Sequence, residues 1–150
     1  MDERMNMKVT KEELVKLIQE NQDLSQLDVS EIIDMEALFN NSEFNGDISN
    51  WDVSNVTTMK KMFANSKFNQ NIDCWNVSKV KDMSLMFSYS EYTHHLLSWD
   101  VWTNVNMDYI FYMSNYFQTI ESKEDFLDYQ KINRELKKKM GCLFHLHYLT

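Results

Sequence analysis

The sequence predicts an α/β solenoid of four 24-residue strand–helix units with a helical cap at each end. Three observations carry this prediction. The segments that begin at Leu27, Trp51, Trp75 and Trp99 align without gaps at a fixed period of 24 residues. Within each copy the spacing of the apolar residues changes from strand-like to helix-like. Segments that lack the repeat flank the four copies on both sides, as the exposed ends of a repeat array require.

The repeat fixes the domain organisation. The first and second copies share ten identities in 24 positions and the second and third share eight, so the register is unambiguous. One domain is expected over residues 1–150, with an N-terminal helical cap in 1–26, the four repeats in 27–122, and a C-terminal helix and tail in 123–150. The recurring positions are Val29, Val53, Val77, Val101; Met35, Met59, Met83, Met107; Phe39, Phe63, Phe87, Phe111; and Ser42, Ser66, Ser90, Ser114.

Each copy is predicted to begin with a short strand and to continue as a helix. Trp51 and Val53 lie on one side of the strand, with a leucine-rich-repeat-like spacing. From Val56 the apolar positions continue through Met59 and Phe63 at the spacing of one helix face of about three turns. The methionines at these core positions are interpreted as apolar filling, in preference to a soft metal site.

Both flanks are predicted to form helices that cover the ends of the array. Thr10 and Glu13 have the spacing of a capping box, and Leu14 follows on the apolar side of the helix that this box opens. At the other end Ser122 begins a long predicted helix, and Gly141 ends it.

Composition excludes several classes of protein. The chain has two glycines and no proline, so it cannot contain a glycine-rich phosphate-binding loop. A formal charge of −8 argues against direct binding to nucleic acid or to an anionic membrane and favours a partner with a basic surface. Two cysteines, no signal-like start and no apolar run of spanning length predict a cytoplasmic location, or a host cytoplasm for a viral protein.

The phrases FNGDISNWDVSNVTTMKKMF and FNQNIDCWNVSKVKDMSLMF resemble the BspA-like leucine-rich repeats, a lipoprotein-type surface repeat of bacteria that is also found in large viruses. The resemblance covers about residues 24–120. It implies an α/β solenoid used for adhesion or protein binding, and it brings no catalytic residues. Because the chain lacks an export signal and has few copies, the binding role is the one expected here.

The proposed binding surface is a polar column on the strand face. A residue repeated at 24 positions becomes a row of side chains about 4.8 Å apart when parallel strands stack. That row contains Asp28, Asp52, Asn76 and Asp100, with Asn50 beside it. Such a row of carboxylates favours a lysine or arginine from a partner. The alternative interpretation is structural, because short polar side chains after a strand often bind backbone groups in turns.

The fourth copy also contains aromatic substitutions. Trp102 stands where the other copies have serine, and it is predicted to be an aromatic anchor for a partner or part of the cap contact. Tyr109, Tyr112 and Met113 replace mostly polar residues of the earlier copies. The interpretation favoured for these three is that the last copy widens its apolar face to receive the C-terminal helix.

Neither a metal site nor a catalytic site is predicted. The pairs His94–His95 and His145–His147 have no third ligand at a recognisable spacing, and Cys74 and Cys142 form no Cys-x-x-Cys element. The sequence therefore predicts a non-catalytic protein–protein interaction module without a cofactor. The alternative is a small acidic inhibitor, of the kind that a virus or phage would encode, that blocks the nucleic-acid-binding groove of a host protein.

Overall fold

A computed structural model describes residues 6–96, 98–99 and 105–116 of the chain. Within these residues, regular secondary structure is limited to strand β1 (Met7–Lys8), helix α1 (Lys11–Gln19) and strand β2 (Leu27–Asp28). The two strands pair in parallel, with Met7 opposite Leu27 and Lys8 opposite Asp28. The predicted C-terminal helix and tail lie outside the described residues.

Helix α1 begins as the sequence predicts. The Thr10 hydroxyl accepts a hydrogen bond from the Glu13 amide at 3.2 Å, and the Glu13 carboxylate accepts one from the Thr10 amide at 2.8 Å. This reciprocal pair satisfies two of the amide donors that a helix N-terminus leaves without an intrahelical partner. The capping box is therefore confirmed. Leu14 is fully buried, and Leu17 and Ile18 pack against the core of the repeats.

The predicted strand–helix units are wrong. No helix and no strand of regular length forms within the described part of the four copies. The segments predicted to be helical are runs of consecutive turns, which we call the turn segments (residues 34–42, 58–66, 82–90 and 106–114). Isolated parallel bridges join them, from Asp34 to Thr58, from Thr58 to Asp82 and from Asp82 to Asn106.

Backbone dihedral angles explain why a helix does not form. In the second turn segment Lys61 has φ 55° and Asn65 has φ 51°, both left-handed, and a right-handed helix cannot include such residues. The same two positions are left-handed in the other three turn segments. They are Ala37 and Asn41, Leu85 and Tyr89, and Tyr109 and Met113.

The backbone amides of the turn segments alternate between two kinds of partner. Met62 and Ala64 donate within their own segment, to the carbonyls three residues earlier, at 3.0 and 3.1 Å. Lys61 and Phe63 donate instead to carbonyls of the next copy, at 3.0 and 2.9 Å. This arrangement pairs the amides as completely as a helix does, as burial requires. It also ties each copy to the next through the backbone.

Aromatic rings run through the buried interior at the repeat period. Phe63 stacks on Phe39 with ring centroids 5.3 Å apart and on Phe87 at 5.5 Å, and Phe87 continues to Phe111 at 5.3 Å. A second ring in each copy packs against this column, as Phe68 does against Phe63 at 4.1 Å. Because aromatic side chains bury 150–250 Å² each, this column is the largest apolar element of the core.

The tryptophans connect adjacent copies in two ways. The indole rings of Trp51 and Trp75 lie nearly parallel, with their centroids 6.4 Å apart. The indole N–H groups of Trp51, Trp75 and Trp99 donate to the carbonyls of Leu24, Ile48 and Ile72, each 27 residues earlier, at 2.9–3.2 Å. Each tryptophan therefore buries its ring without leaving its N–H group unpaired. The methionines predicted to fill the core, Met59, Met62, Met83 and Met86, are fully buried, which confirms that interpretation.

Tyr92 carries the one buried side-chain polar atom in the described residues that lacks a hydrogen-bond partner. It occupies the position of Phe44 and Phe68 in earlier copies. Burial raises the pKa of its hydroxyl. The hydroxyl lies near the backbone of Ile72 without a hydrogen bond of normal geometry.

We expect Tyr92→Phe to raise the free energy of unfolding by about 1 kcal/mol, because it removes a buried hydroxyl that makes no good hydrogen bond. Urea unfolding followed by tryptophan fluorescence measures the change. The matched control is Phe68→Tyr, which places a hydroxyl at the equivalent position of the second copy and is expected to lower stability. A loss of stability in Tyr92→Phe would show that the hydroxyl is paired.

Candidate functional site

The polar column predicted to bind a partner forms turns in the structure. Asp28, Asp52 and Asn76 each accept a hydrogen bond from the backbone N–H of the serine two residues later, at 3.0, 3.0 and 3.2 Å. Asn50, beside this column, is exposed. Asp100 lies outside the described residues. The structural interpretation therefore accounts for one acceptor oxygen of each of these three side chains.

The same kind of turn occurs at other columns of the repeat. Asp34 and Asp82 accept from the amides of Glu36 and Ser84 at 2.7 and 2.8 Å. Asp47 accepts from the Ser49 amide at 2.9 Å. Aspartate or asparagine bound to the amide two residues later is thus the usual way in which these copies turn, in a chain with few glycines and no proline.

Among the described carboxylates of the polar column, Asp52 is exposed and Asp28 is half-buried, and both are charged. Hydrogen bonds from Ser30 lower the pKa of Asp28, and hydrogen bonds from Ser54 lower the pKa of Asp52. Asp28 raises the pKa of Asp52, and Lys79 lowers it, by smaller amounts. The two carboxylates of adjacent copies therefore repel each other and both remain ionised at neutral pH.

The two lysines near this column, Lys8 and Lys79, bind acceptors outside it. The Lys8 ammonium forms an ion pair with Glu31 at 2.9 Å, and this hydrogen bond raises the pKa of Lys8. The Lys79 ammonium donates to the side-chain oxygen of Asn55 at 2.7 Å. The charges of these two lysines nevertheless lower the pKa of the nearby carboxylates, Lys8 that of Asp28 and Lys79 that of Asp52.

A second surface lies on the turn segments of the third and fourth copies. Tyr89, Tyr109 and Met113 expose 56%, 53% and 58% of their surface. Tyr112 is half-buried between the two other tyrosines and meets their rings edge to face, with centroids 5.4 Å from Tyr89 and 5.8 Å from Tyr109. We call these four residues the tyrosine patch.

Sequence reasoning found only part of the tyrosine patch. It singled out Tyr109, Tyr112 and Met113 and predicted that they receive the C-terminal helix, which lies outside the described residues; within those residues Tyr109 and Met113 are exposed. It missed Tyr89, although a signal was present, since Asn41 and Asn65 hold the equivalent positions. Trp102, the predicted anchor, lies outside the described residues.

The cysteine and histidine residues within the described ranges contact backbone carbonyls and aromatic rings of neighbouring copies. Cys74 is exposed, and its sulfur lies 3.4 Å from the Ser49 carbonyl. The His94 ring nitrogen Nε2 lies 3.0 Å from the Asn69 carbonyl, and His95 meets the Tyr116 ring edge to face at 6.0 Å. Residues 6–96, 98–99 and 105–116 contain no group of three potential ligands placed to hold a metal ion. His145, His147 and Cys142 lie outside these ranges.

These features define a repeat protein whose 24-residue copies are joined by parallel backbone hydrogen bonds and by columns of stacked aromatic rings. The chain belongs to the family described as Mycoplasma protein of unknown function, DUF285, whose model matches residues 5–124. That match includes the whole of the repeat region, residues 27–122. No curated protein and no solved structure matches the chain. In the part of the chain that the structure describes, no helix has the length and apolar character needed to cross a membrane.

Proposed function

We propose that this chain is a non-catalytic protein-binding module that recognises a basic partner through its polar column. The column comprises Asp28, Asp52, Asn76 and Asp100, with Asn50 and Trp102 beside it. One observation carries the proposal. Asp28 and Asp52 are ionised, solvent-accessible and held in fixed positions by the serines that follow them. Carboxylates fixed in this way lose little side-chain entropy when they bind a partner's cation.

Forming a turn does not exhaust the acceptor capacity of these carboxylates. An ionised carboxylate has about four acceptor sites, and each of these accepts hydrogen bonds from a single serine. The remaining sites suit the ammonium group of lysine or the guanidinium group of arginine. Net charge adds to this, because a formal charge of −8 attracts cationic partners and repels nucleic acid.

Family resemblance supports the same class of function. DUF285 is related to the BspA-like repeat families, and the Trp-Asp-Val-Ser-Asn-Val phrase that begins at Trp51 is the basis for proposing the BspA-like type in particular. That type implies protein binding. A cytoplasmic site of action, in a bacterium or in an infected host, is part of the proposal.

We expect Asp28→Asn combined with Asp52→Asn to weaken binding of a synthetic oligolysine peptide about fivefold, because two exposed charge pairs contribute about 1 kcal/mol together. Asparagine keeps the oxygen that accepts from the serine amide, as Asn76 shows in the third copy. The fold is therefore retained. Isothermal titration calorimetry in low salt measures the dissociation constant.

The matched control is Glu12→Gln combined with Glu20→Gln. It removes the same two charges from exposed positions in and just after α1, away from the polar column. If both double variants weaken binding equally, the column has no special role and only the net charge acts. If the unaltered chain displaces nucleic acid from a basic protein in competition, and does so less in higher salt, the groove-blocking alternative is favoured.

A further inference from the structure

We propose that the tyrosine patch is a second docking surface, which binds an arginine-bearing segment of a protein partner. The inference rests on the proposed protein-binding function and extends it to another column of the repeat. Three independent features support it: the exposure of the patch, the backbone conformation of its residues, and its chemistry.

The backbone conformation is the first argument. Tyr89, Tyr109 and Met113 have φ of 56°, 56° and 55°, in the left-handed region that bulky side chains avoid. Asparagine tolerates this region, and in the first two copies Asn41 and Asn65 hold the positions equivalent to Tyr89 and Met113. Tyr89 and Met113 are therefore locally less favourable than the asparagines at their positions in the earlier copies, whereas Tyr109 shares its left-handed conformation with Ala37, Lys61 and Leu85. Strain of this kind clusters at binding sites, where the strained side chain has a use outside the fold.

Burial does not compensate for this strain. More than half of the surface of each of the three side chains is exposed. Asn65 donates from its side-chain amide to the Asn41 oxygen at 2.7 Å, so asparagine at these positions also links the copies. Tyr89 and Met113 lack an amide group and cannot continue that ladder. Tyr89 instead contacts Tyr112 of the fourth copy, by a side-chain hydrogen bond and an edge-to-face ring contact, and both Tyr89 and Met113 leave more than half of their surface exposed.

The size of the patch favours contact with one or two side chains of a partner over dimerisation of this chain. Half-exposed side chains of this kind offer about 100 Å² each, or about 300 Å² for the three, which is within the range of functional patches on monomers. A stable interface needs about 800 Å² from each partner. The patch therefore fits one or two side chains of a partner as a local anchor, alongside contacts elsewhere.

The chemistry of the patch favours a planar cation. The faces of tyrosine rings attract cations, and a guanidinium group stacks on them while its edges keep their hydrogen bonds. The ring of Tyr112 lies edge to face against Tyr89 and Tyr109, at interplanar angles of 81° and 88°. Asp108, next to Tyr109, is exposed and adds a negative charge at the margin of the patch. Together with the charge of −8, this selects arginine over a neutral apolar side chain.

A direct test uses a synthetic peptide with three arginines separated by glycines, and the same peptide with citrulline in place of arginine. Citrulline keeps the planar shape and removes the charge. The protein carries ¹³C-labelled tyrosine rings, so that NMR reports both the affinity and the rings involved. We expect shifts in the signals of the patch tyrosines, and a dissociation constant at least tenfold higher for the citrulline peptide.

The variant is Tyr89→Asn combined with Tyr109→Ala, which gives these positions the residues of Asn41 and Ala37 in the first copy. The same backbone conformation already accepts those residues. We expect at least a tenfold loss of affinity for the arginine peptide. We also expect the midpoint of thermal unfolding of Tyr89→Asn alone to rise by about 3 °C. A fall in that midpoint would show that Tyr89 serves the fold, and would overturn the inference.

The Asp28→Asn and Asp52→Asn double variant separates this inference from the proposed function. Loss of arginine-peptide binding in that variant, with full binding in the tyrosine variant, overturns the patch and leaves the polar column standing. The opposite pattern supports the patch and counts against the column. Equal binding of the arginine and citrulline peptides overturns the patch. Concentration-dependent dimerisation in sedimentation velocity that Tyr89→Asn abolishes also overturns it, because the patch would then be an interface between copies of this chain.

Discussion

Phe63→Ala is expected to lower the free energy of unfolding by about 3–5 kcal/mol, enough to unfold a marginally stable domain at 37 °C. The Phe63 ring is fully buried and lies between the rings of Phe39 and Phe87, 5.3 and 5.5 Å away. It also stacks on Phe68 at 4.1 Å. Removing it opens a cavity at the middle of the column, where neither adjacent copy can move in without breaking its own backbone hydrogen bonds. Urea unfolding followed by tryptophan fluorescence gives the value.

Two further variants make this result specific. Ile33→Ala removes an aliphatic side chain that is 61% exposed, and we expect a change of no more than about 0.5 kcal/mol. Phe44→Ala removes a ring from the first copy that stacks on Phe39 at 5.0 Å, so its cost is expected to lie between the other two. If Phe63→Ala costs less than about 1 kcal/mol, the stacked rings do not stabilise the repeats.

The period of 24 residues and the identity of the buried residues could be predicted from the sequence, but the secondary structure could not. Met59, Met62 and Phe63 are spaced as on one face of a helix, and all three are fully buried. Consecutive turns place the same three positions inward, so apolar spacing cannot distinguish the two backbones. What decides between them is where the amides of Lys61 and Phe63 find their acceptors, and those acceptors lie in another copy.

The left-handed positions left only a weak trace in the sequence. Asn41 and Asn65 are typical of the left-handed region. Lys61 and Leu85 occupy the other left-handed column and carry no such signal, because both are good helix formers. Intrinsic preference is overridden here by the hydrogen bonds between copies.

In the candidate site, too, features that depend on nearby residues could be predicted, and features that depend on contacts between copies could not. The polar column was predicted from the 24-residue period. The alternative that its side chains form turns could also be predicted, because the hydrogen bonds of such turns join residues two positions apart. The tyrosine patch depends on which side chains the backbone turns outward. That direction follows from the left-handed residues, so Tyr89 was missed.

A proline at position 61 tests the turn segments directly. We expect Lys61→Pro to lower the free energy of unfolding by at least about 3 kcal/mol, because proline fixes φ near −65° where the chain has 55°. The substitution also removes the amide that donates to the Ser84 carbonyl at 3.0 Å, leaving that carbonyl without this donor. Chemical unfolding measures the loss, and amide hydrogen exchange reports whether the second and third copies separate.

Glycine at the same position distinguishes the two backbones by the sign of its effect. In the interior of a helix, Lys61→Gly would cost about 1 kcal/mol, because glycine is a poor helix former. At a left-handed position it relieves the side-chain clash, so we expect a gain of about 0.5–1 kcal/mol relative to Lys61→Ala. Lys61→Ala is the matched reference because it removes the same charge and keeps the Cβ, and alanine already holds this position at residue 37. If the Lys61→Ala variant has a higher free energy of unfolding than the Lys61→Gly variant, residues 58–66 are helical.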